Sequence, residues 1–271
     1  MNHHIAFIGG GNMAGAIISG LLRRGFTAGQ IDVVEPFDDT RQKLQASFGI
    51  TAEAAAGAFL QRATLVVWAV KPQTFKEAAQ QTQAFTREAL HLSVAAGIPS
   101  GSIARWLNTE RIVRAMPNTP ALIGKGITGL FARAAVRSVD RQLVERVIAS
   151  TGDWLWMSEE AQLDAVTAIS GSGPAYVYFF MEAMTAAGTA MGLTAEQAYQ
   201  LTVSTFIGAS ELARTSTDAP EVLRQRVTSK GGTTHAAISS MEASGIKPAF
   251  ERALHAARDR AQAMGAEFGS A

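Results

Sequence analysis

Cysteine is missing from all 271 residues. That excludes disulfide staples, thiolate metal sites, iron–sulfur clusters and cysteine nucleophiles. The histidines, His3, His4, His91, His235 and His255, are scattered without metal-ligand spacing, so no metal is expected. Charged residues are few, at 17%, and 24 basic against 23 acidic side chains leave a formal net charge of +1. A chain without a basic surplus has no electrostatic footprint for nucleic acid, and none is expected as a partner. Uninterrupted apolar runs of about 18 residues, the length needed to cross a bilayer, are also missing. The nearest approach, from Tyr176 to Leu193, is interrupted by Glu182, Thr185 and Thr189. It reads as a helix buried by protein on most sides. No basic segment with a cleavage site precedes the apolar run that begins at Ile5. The expectation is a soluble, cytoplasmic protein with no membrane partner.

What is present is apolar. Hydrophobic residues make up 47% of the chain, enough for a sizeable core and a further buried interface. Up to about residue 157, short β-rich runs alternate with helical patterns. Residues 5–8, 31–35, 65–69, 91–94, 112–116, 127–131 and 154–157 read as strands, several of them continuously apolar, as parallel strands covered on both faces are. Helical patterns fill 13–24, 40–48, 74–85 and 140–150. In the first of these Met13, Ile17 and Leu21 recur every four residues and form one apolar face. The alternation predicts an α/β fold, a doubly wound, mostly parallel sheet of Rossmann type over 1–158. The strand signal then stops. Residues 159–169, 174–191, 195–214, 220–227, 234–244 and 248–264 read as helices of an all-α domain over 159–271. Gly192 ends one long helix, and Thr194 with Gln197 forms a capping box for the next, so these two are expected to pair as a hairpin.

The segment Gly9-Gly10-Gly11-Asn12-Met13-Ala14 lies between the first strand and the first helix. It holds the G-x-G-x-x-A pattern as Gly9, Gly11 and Ala14. Gly9 permits the tight turn, Gly11 admits a pyrophosphate to the backbone, and Ala14 allows close helix–strand packing. The helix end at Asn12 and Met13 offers unpaired N–H groups and a positive dipole to phosphate. Glu35 closes the second strand at roughly the twenty-residue spacing of a carboxylate that meets the adenosine ribose. Such a carboxylate accepts from a 2′-hydroxyl and repels a 2′-phosphate. The expected cofactor is NADH or NADPH, with NADH favoured through Glu35; Arg41 nearby is a residue that can turn toward a phosphate.

Two further strand ends carry short motifs. After the third strand come Val70, Lys71 and Pro72, where the proline stops the strand and begins a helix. Lys71 meets either a phosphate or water. After the fifth strand come Met116, Pro117, Asn118, Thr119 and Pro120. Asn118 is either a partner for a nicotinamide carboxamide or a residue that turns the chain. Later segments are Ser170-Gly171-Ser172-Gly173-Pro174-Ala175-Tyr176 and Ser229-Lys230-Gly231-Gly232-Thr233-Thr234.

With the glycine segment and these four motifs in this order, the sequence resembles the pyrroline-5-carboxylate reductase family along the whole chain. The resemblance implies a nucleotide domain followed by a helical dimerisation domain, and NAD(P)H-dependent reduction of 1-pyrroline-5-carboxylate to L-proline, the last step of proline biosynthesis. It places Gly9, Gly11, Asn12, Met13, Ala14, Glu35, Val70, Lys71, Pro72, Met116, Pro117 and Asn118 at the cofactor. It places Ser170, Gly171, Ser172, Gly173, Ser229, Gly231, Gly232, Thr233 and Thr234 in a substrate pocket near the nicotinamide, with Thr234 as the catalytic candidate, acting chiefly by positioning. The unpaired N–H groups at Gly231–Thr234 suit a small carboxylate without any arginine. By themselves these residues also read as a plain helix cap. His235 is given no role. The resemblance further implies a homodimer or a ring of dimers. The apolar 176–191 segment points the same way, because a surface helix of a monomer would show a polar half. Two other readings stand beside this one. A 3-hydroxyacid dehydrogenase-like oxidoreductase would present a lysine on the helical domain, which has only Lys230 and Lys247. A non-catalytic dinucleotide-sensing module would bind cofactor without turnover.

Overall fold

The first apolar run forms a strand, β1 (Ile5–Ile8), buried at every position. Ile5 and Phe7 face one layer of core, Ala6 and Ile8 the other. This is the two-sided burial of a parallel strand sandwiched by helices. β2 (Ile31–Val34), β3 (Leu65–Trp68) and β4 (Leu90–Ser93) repeat it. β5 (Ile112–Met116), β6 (Gly126–Ala132) and β7 (Gly152–Trp156) complete one sheet in the order β2-β1-β3-β4-β5-β6-β7. The first five strands run parallel. β6 pairs antiparallel with β5, and β7 parallel with β6. The computed structural model describes residues 3–269, so the outermost ends of the expected 1–158 and 159–271 regions lie outside the described residues.

Helices cover both faces of the sheet, as the strand–helix alternation requires. α1 (Asn12–Arg23) and α2 (Asp38–Phe48) cover one face with Ile17, Ile18, Leu21 and Leu44. α3 (Pro72–Thr82) and α4 (Ser100–Leu107) cover the other with Phe75, Ala79, Ile103 and Leu107. α5 (Ser138–Ile148) returns to the first face through Leu143, Val144 and Val147. α4 is an addition to the helices expected from sequence, and its start, Ser-Gly-Ser, is poor in helix formers. Its cap is supplied from far along the chain. Glu160 accepts from the Ser100 amide at 2.6 Å and from the Ser100 hydroxyl at 2.5 Å, and it also takes an Arg114 guanidinium hydrogen bond at 2.7 Å. Burial alone would raise the Glu160 carboxyl pKa; the hydrogen bonds from Ser100 and Arg114 outweigh it and hold the group below its ordinary value.

α6 (Gln162–Val166) runs directly into a wide π turn, Thr167–Gly171. The chain then divides into two compact units, residues 3–172 with 256–269, and Gly173–His255; the division falls at the π turn and not at the expected 158/159, and the last part of the chain belongs to the first unit. The second unit holds α7 (Gly173–Ala190), α8 (Ala195–Thr215), α9 (Pro220–Arg226), α10 (Thr233–Ala243) and the first part of α11 (Ile246–Gly269). The capping box at α8 is formed as expected: Thr194 Oγ1 accepts from Gln197 N at 3.1 Å and Gln197 Oε1 from Thr194 N at 3.0 Å. α7 and α8 pack as a hairpin, with Gly188 against Ala198. Tyr176 and Phe180 meet Phe250 edge-on. The expected burial of α7 is not achieved within one chain: Tyr178, Phe179 and Met184 are 57%, 67% and 44% exposed.

Inside the first unit, His91 on β4 is fully enclosed. The indole N–H of Trp68 can only donate, so its 3.0 Å contact makes His91 Nδ1 the acceptor. Nε2 therefore carries the proton and donates to the Thr86 carbonyl at 3.2 Å. Protonating Nδ1 would set two N–H donors against each other. Burial lowers the imidazole from 6.5 to about 4, with the Thr86 bond opposing and Arg111 assisting. Between these two values the unfolded chain binds a proton and the folded chain does not, so stability rises with pH across that window and is lost as pH falls through it. The expected loss from pH 6.5 to 4 is on the order of 3 kcal/mol. Urea midpoints measured across that window should show it, and His91→Gln, which keeps an acceptor and a donor but does not titrate, should flatten the slope.

Candidate functional site

β1 is the strand at which the sheet order reverses, with β2 on one side and β3 on the other. Loops leaving the carboxyl ends of strands beside such a point bound the ligand crevice of an open α/β sheet. The first glycine turn leaves β1 there. Gly9 has a φ of +94°, and a Cβ on it would lie 2.6 Å from the Ala69 carbonyl oxygen at the end of β3. Only glycine lets the two strand ends approach so closely. Gly11 differs: a Cβ there would meet nothing within 4 Å, so its face of the turn is open. No side chain caps α1, and its first turn carries no acidic residue. Its N–H groups and dipole face that open side. A pyrophosphate fits this cradle, and a helix–strand contact closed by the buried Ala14 supports it from below.

Glu35 follows β2 at the same edge and is 6% exposed. Its Oε2 accepts from Gly10 N at 2.8 Å and its Oε1 from Phe37 N at 3.0 Å. Arg41 is turned onto the chain, donating to the carbonyls of Glu35 and Pro36 at 3.0 and 2.7 Å and to Asp38 at 2.8 Å. Beside the glycine turn, between α1 and α2, is a cleft of about 390 Å³ whose walls include Gly11, Asn12, Thr40 and Lys43. Thr40 and Lys43 were not singled out in the sequence. The available signal was that the helix after the second strand must open at the same sheet edge as the glycine turn.

Lys71 is exposed and precedes α3, whose first residue is Pro72. Val70 packs beside Gly9. At the end of β5, the Asn118 side-chain oxygen accepts from the Ile127 amide of β6 at 3.0 Å. That oxygen is used to fix the loop. Met116 reaches across to the π turn, where its Cε occupies the space a Gly171 side chain would need. The turn is closed by Ser172 N to the Thr167 carbonyl at 2.9 Å, while Ser170 Oγ is folded back on the Val166 carbonyl. Five-residue turns of this kind recur at functional sites. Three of the motif segments are thus brought to one sheet edge, and Met116 links the third to Ser170–Ser172.

Within the second unit, Gly232 N donates to the Ser229 carbonyl at 3.0 Å, and Gly231, at φ +76°, completes the turn before α10. The residue preceding α10 is Gly232, and no side chain caps that helix. The plain-cap reading of the two threonines is therefore not what the local geometry shows. Thr233 and Thr234 are the first two residues of the helix, Thr233 exposed and Thr234 half-buried, beside N–H groups without side-chain acceptors. Among the described residues no three metal-ligating side chains cluster, and no helix is long and apolar enough to cross a membrane.

Comparison with known proteins is decisive. Residues 160–264 match the family described as pyrroline-5-carboxylate reductase dimerisation, and residues 4–97 match NADP oxidoreductase, coenzyme F420-dependent. A pyrroline-5-carboxylate reductase from Pseudomonas aeruginosa is 43% identical over 267 residues, 98% of each chain. The chain belongs to the pyrroline-5-carboxylate reductase family. Solved structures agree. The reductase from Coxiella burnetii superposes with a TM-score of 0.91 at 37% identity, covering 97% of this chain and 99% of that one. The Plasmodium falciparum pyrroline carboxylate reductase, solved with NADP bound, gives 0.87 at 27% identity, covering 97% and 98%.

For this member of the pyrroline-5-carboxylate reductase family, the two glycines should respond differently to alanine. Gly11→Ala should melt within about 3 °C of the wild type, because φ is −71° and the space is empty, yet bind dinucleotide at least about tenfold more weakly. Gly9→Ala should lose both stability and binding. Thermal melts paired with NADH titrations check this; equal losses for the two variants would remove the distinction.

Proposed function

We propose that the chain reduces the carbon–nitrogen double bond of 1-pyrroline-5-carboxylate to give L-proline in the cytoplasm, as the last step of proline biosynthesis. The observation that carries this reading is the open glycine cradle at the strand-order reversal, in a chain belonging to the pyrroline-5-carboxylate reductase family. The reduced nicotinamide, when bound, supplies the hydride. The protein's own part is binding, orientation and exclusion of water. Gly9, Gly11, Asn12, Met13 and Ala14 would hold the pyrophosphate. Glu35 would face the adenosine ribose, which favours NADH over NADPH. Val70, Lys71, Pro72, Met116, Pro117 and Asn118 would flank the nicotinamide half, with the Asn118 NH₂ available to its carboxamide.

The substrate is a small carboxylate on a five-membered ring. We assign its contacts to Ser170, Gly171, Ser172 and Gly173 and to Ser229, Gly231, Gly232, Thr233 and Thr234. The uncapped start of α10 supports the second group, since a carboxylate can accept from free helix N–H groups. A neutral hydroxyl is a poor acid, so Thr234 would serve by holding the substrate in line. Following NADH and NADPH oxidation separately with 1-pyrroline-5-carboxylate and with hydroxyacids tests the reading; NADH should have the lower KM. Thr234→Ala should cut kcat/KM by about ten- to a hundredfold with cofactor affinity unchanged, the loss of one or two hydrogen bonds to a charged ligand. Activity with hydroxyacids alone would overturn the assignment.

We also propose that the chain acts as a homodimer, or as a ring of dimers, joined through its helical unit. Exposed Tyr178, Phe179, Met184 and Met191 support this, the last at 80%. Apolar surface of this extent is characteristic of an interface. Met184→Asp should unfold or aggregate the chain. A stable, fully active 28.6 kDa monomer in light scattering at micromolar concentration would overturn the proposal.

A further inference from the structure

Glu35 occupies the position of a cofactor-selecting carboxylate, yet its oxygens are both engaged by the chain's own backbone. Oε2 takes the Gly10 N–H at 2.8 Å and Oε1 the Phe37 N–H at 3.0 Å. We infer that Glu35 is a positioning residue for the dinucleotide site: it holds the Gly10 amide, and through it the glycine turn, in the shape that leaves Gly11 and the start of α1 open to a pyrophosphate. The inference rests on the dinucleotide reading above.

Four observations support it. Gly10 is buried, so its amide would be left without a partner if the carboxylate were removed, and a buried unpaired N–H is costly. A side chain on Gly10 would lie 2.7 Å from Leu44 Cδ1 and 3.4 Å from Glu35 Oε2, so the turn is shaped around that contact. The backbone of Glu35 is itself fixed: its amide donates to the Glu53 carbonyl at 2.8 Å and its carbonyl accepts from Arg41 at 3.0 Å. Arg41, the cation closest in sequence, is held by two carbonyls and Asp38, so the carboxylate relies on amides for its partners. Hydrogen bonds from N–H groups to an ionised acceptor are among the stronger ones.

The consequence differs from that of a pure selector. The pyrophosphate is common to NADH and NADPH, so a disordered glycine turn weakens both. A selector lost from the ribose pocket weakens NADH and relieves NADPH. Glutamine at this position has one acceptor oxygen, so it can keep only one of the two amides and sets its NH₂ against the other. Aspartate keeps the charge but is one methylene too short.

The test uses the full-length protein with Glu35→Gln and Glu35→Asp. Hydrogen exchange at the Gly10 amide is measured without ligand, and binding of NADH and NADPH is measured by calorimetry. In Glu35→Gln, Gly10 exchange should rise at least about tenfold, and both dissociation constants should rise, by about five- to twentyfold, that for NADH the more because the ribose contact goes with the carboxylate. The KM for each cofactor should rise by a larger factor than kcat falls, a split that general loss of structure would not give. Glu35→Asp should move both cofactors in the same direction, and it serves as the test if Glu35→Gln does not fold. Unchanged Gly10 exchange, or weaker NADH with equal or tighter NADPH, would overturn the inference. Wild-type protein that binds neither dinucleotide would overturn the dinucleotide reading and this inference with it, whereas the exchange measurement in the free protein would still report on the Glu35–Gly10 bond separately.

Discussion

Where a side chain on Gly9 would stand, the carbonyl of Ala69 is already present. That approach of backbone to backbone is possible only for glycine at positive φ, and the rest of the site depends on it. It lets β1 and β3 stay paired to their carboxyl ends, with Ala69 N donating to the Ile8 carbonyl at 2.8 Å. The chain can then turn at once into α1 and direct its unpaired amides outward. Gly9 N in turn donates to the Val34 carbonyl at 2.8 Å, so the turn is tied to β2 as well. Three strand ends and one helix start meet at one point through these backbone contacts.

Two carboxylates, the buried Glu35 and the half-buried Glu160, do much of the remaining organisation, each accepting from backbone amides. Glu35 joins the glycine turn to the corner before α2. Glu160 starts α4 and anchors Arg114 of β5. In each case a charge that would be costly to bury is held by hydrogen bonds, and each pair of segments it joins would otherwise leave amides unpaired. Asp164, in the helix three residues before the π turn, lacks such compensation, and burial pushes its carboxyl up, with Arg114 and Glu160 acting in opposite directions.

The helical unit follows a different rule. Its fully buried positions are small, such as Gly188, Ala198 and Thr202, while large side chains on α7 and α8 face outward. Close helix contact through small residues frees the bulky apolar ones for a second surface. The sheet unit satisfies its core within one chain, and the helical unit carries apolar surface to spare.

The strands, the glycine turn and the capping box at Thr194 were legible in the sequence because each is a local device. A strand declares itself by period, a turn by its glycines, and a cap by residues three apart. So was the change from alternating strands to helices near residue 158. What could not be read depended on partners distant along the chain. α4 begins with residues that read as loop, because its cap is Glu160, which arrives from beyond β7. The antiparallel entry of β6 has no signature in its own residues, since strand direction is set by how the loop from β5 crosses the sheet edge. The spacing of Glu35 points to the ribose and says nothing of the glycine turn. Its hydrogen bond to Gly10, set by the pairing of β1 with β2, exists only once the sheet has formed. Sequence spacing determined which residues reach the carboxyl edge of the sheet, and tertiary packing decided which of their polar atoms remain available there, because hydrogen-bond partners are settled by three-dimensional proximity and not by order along the chain.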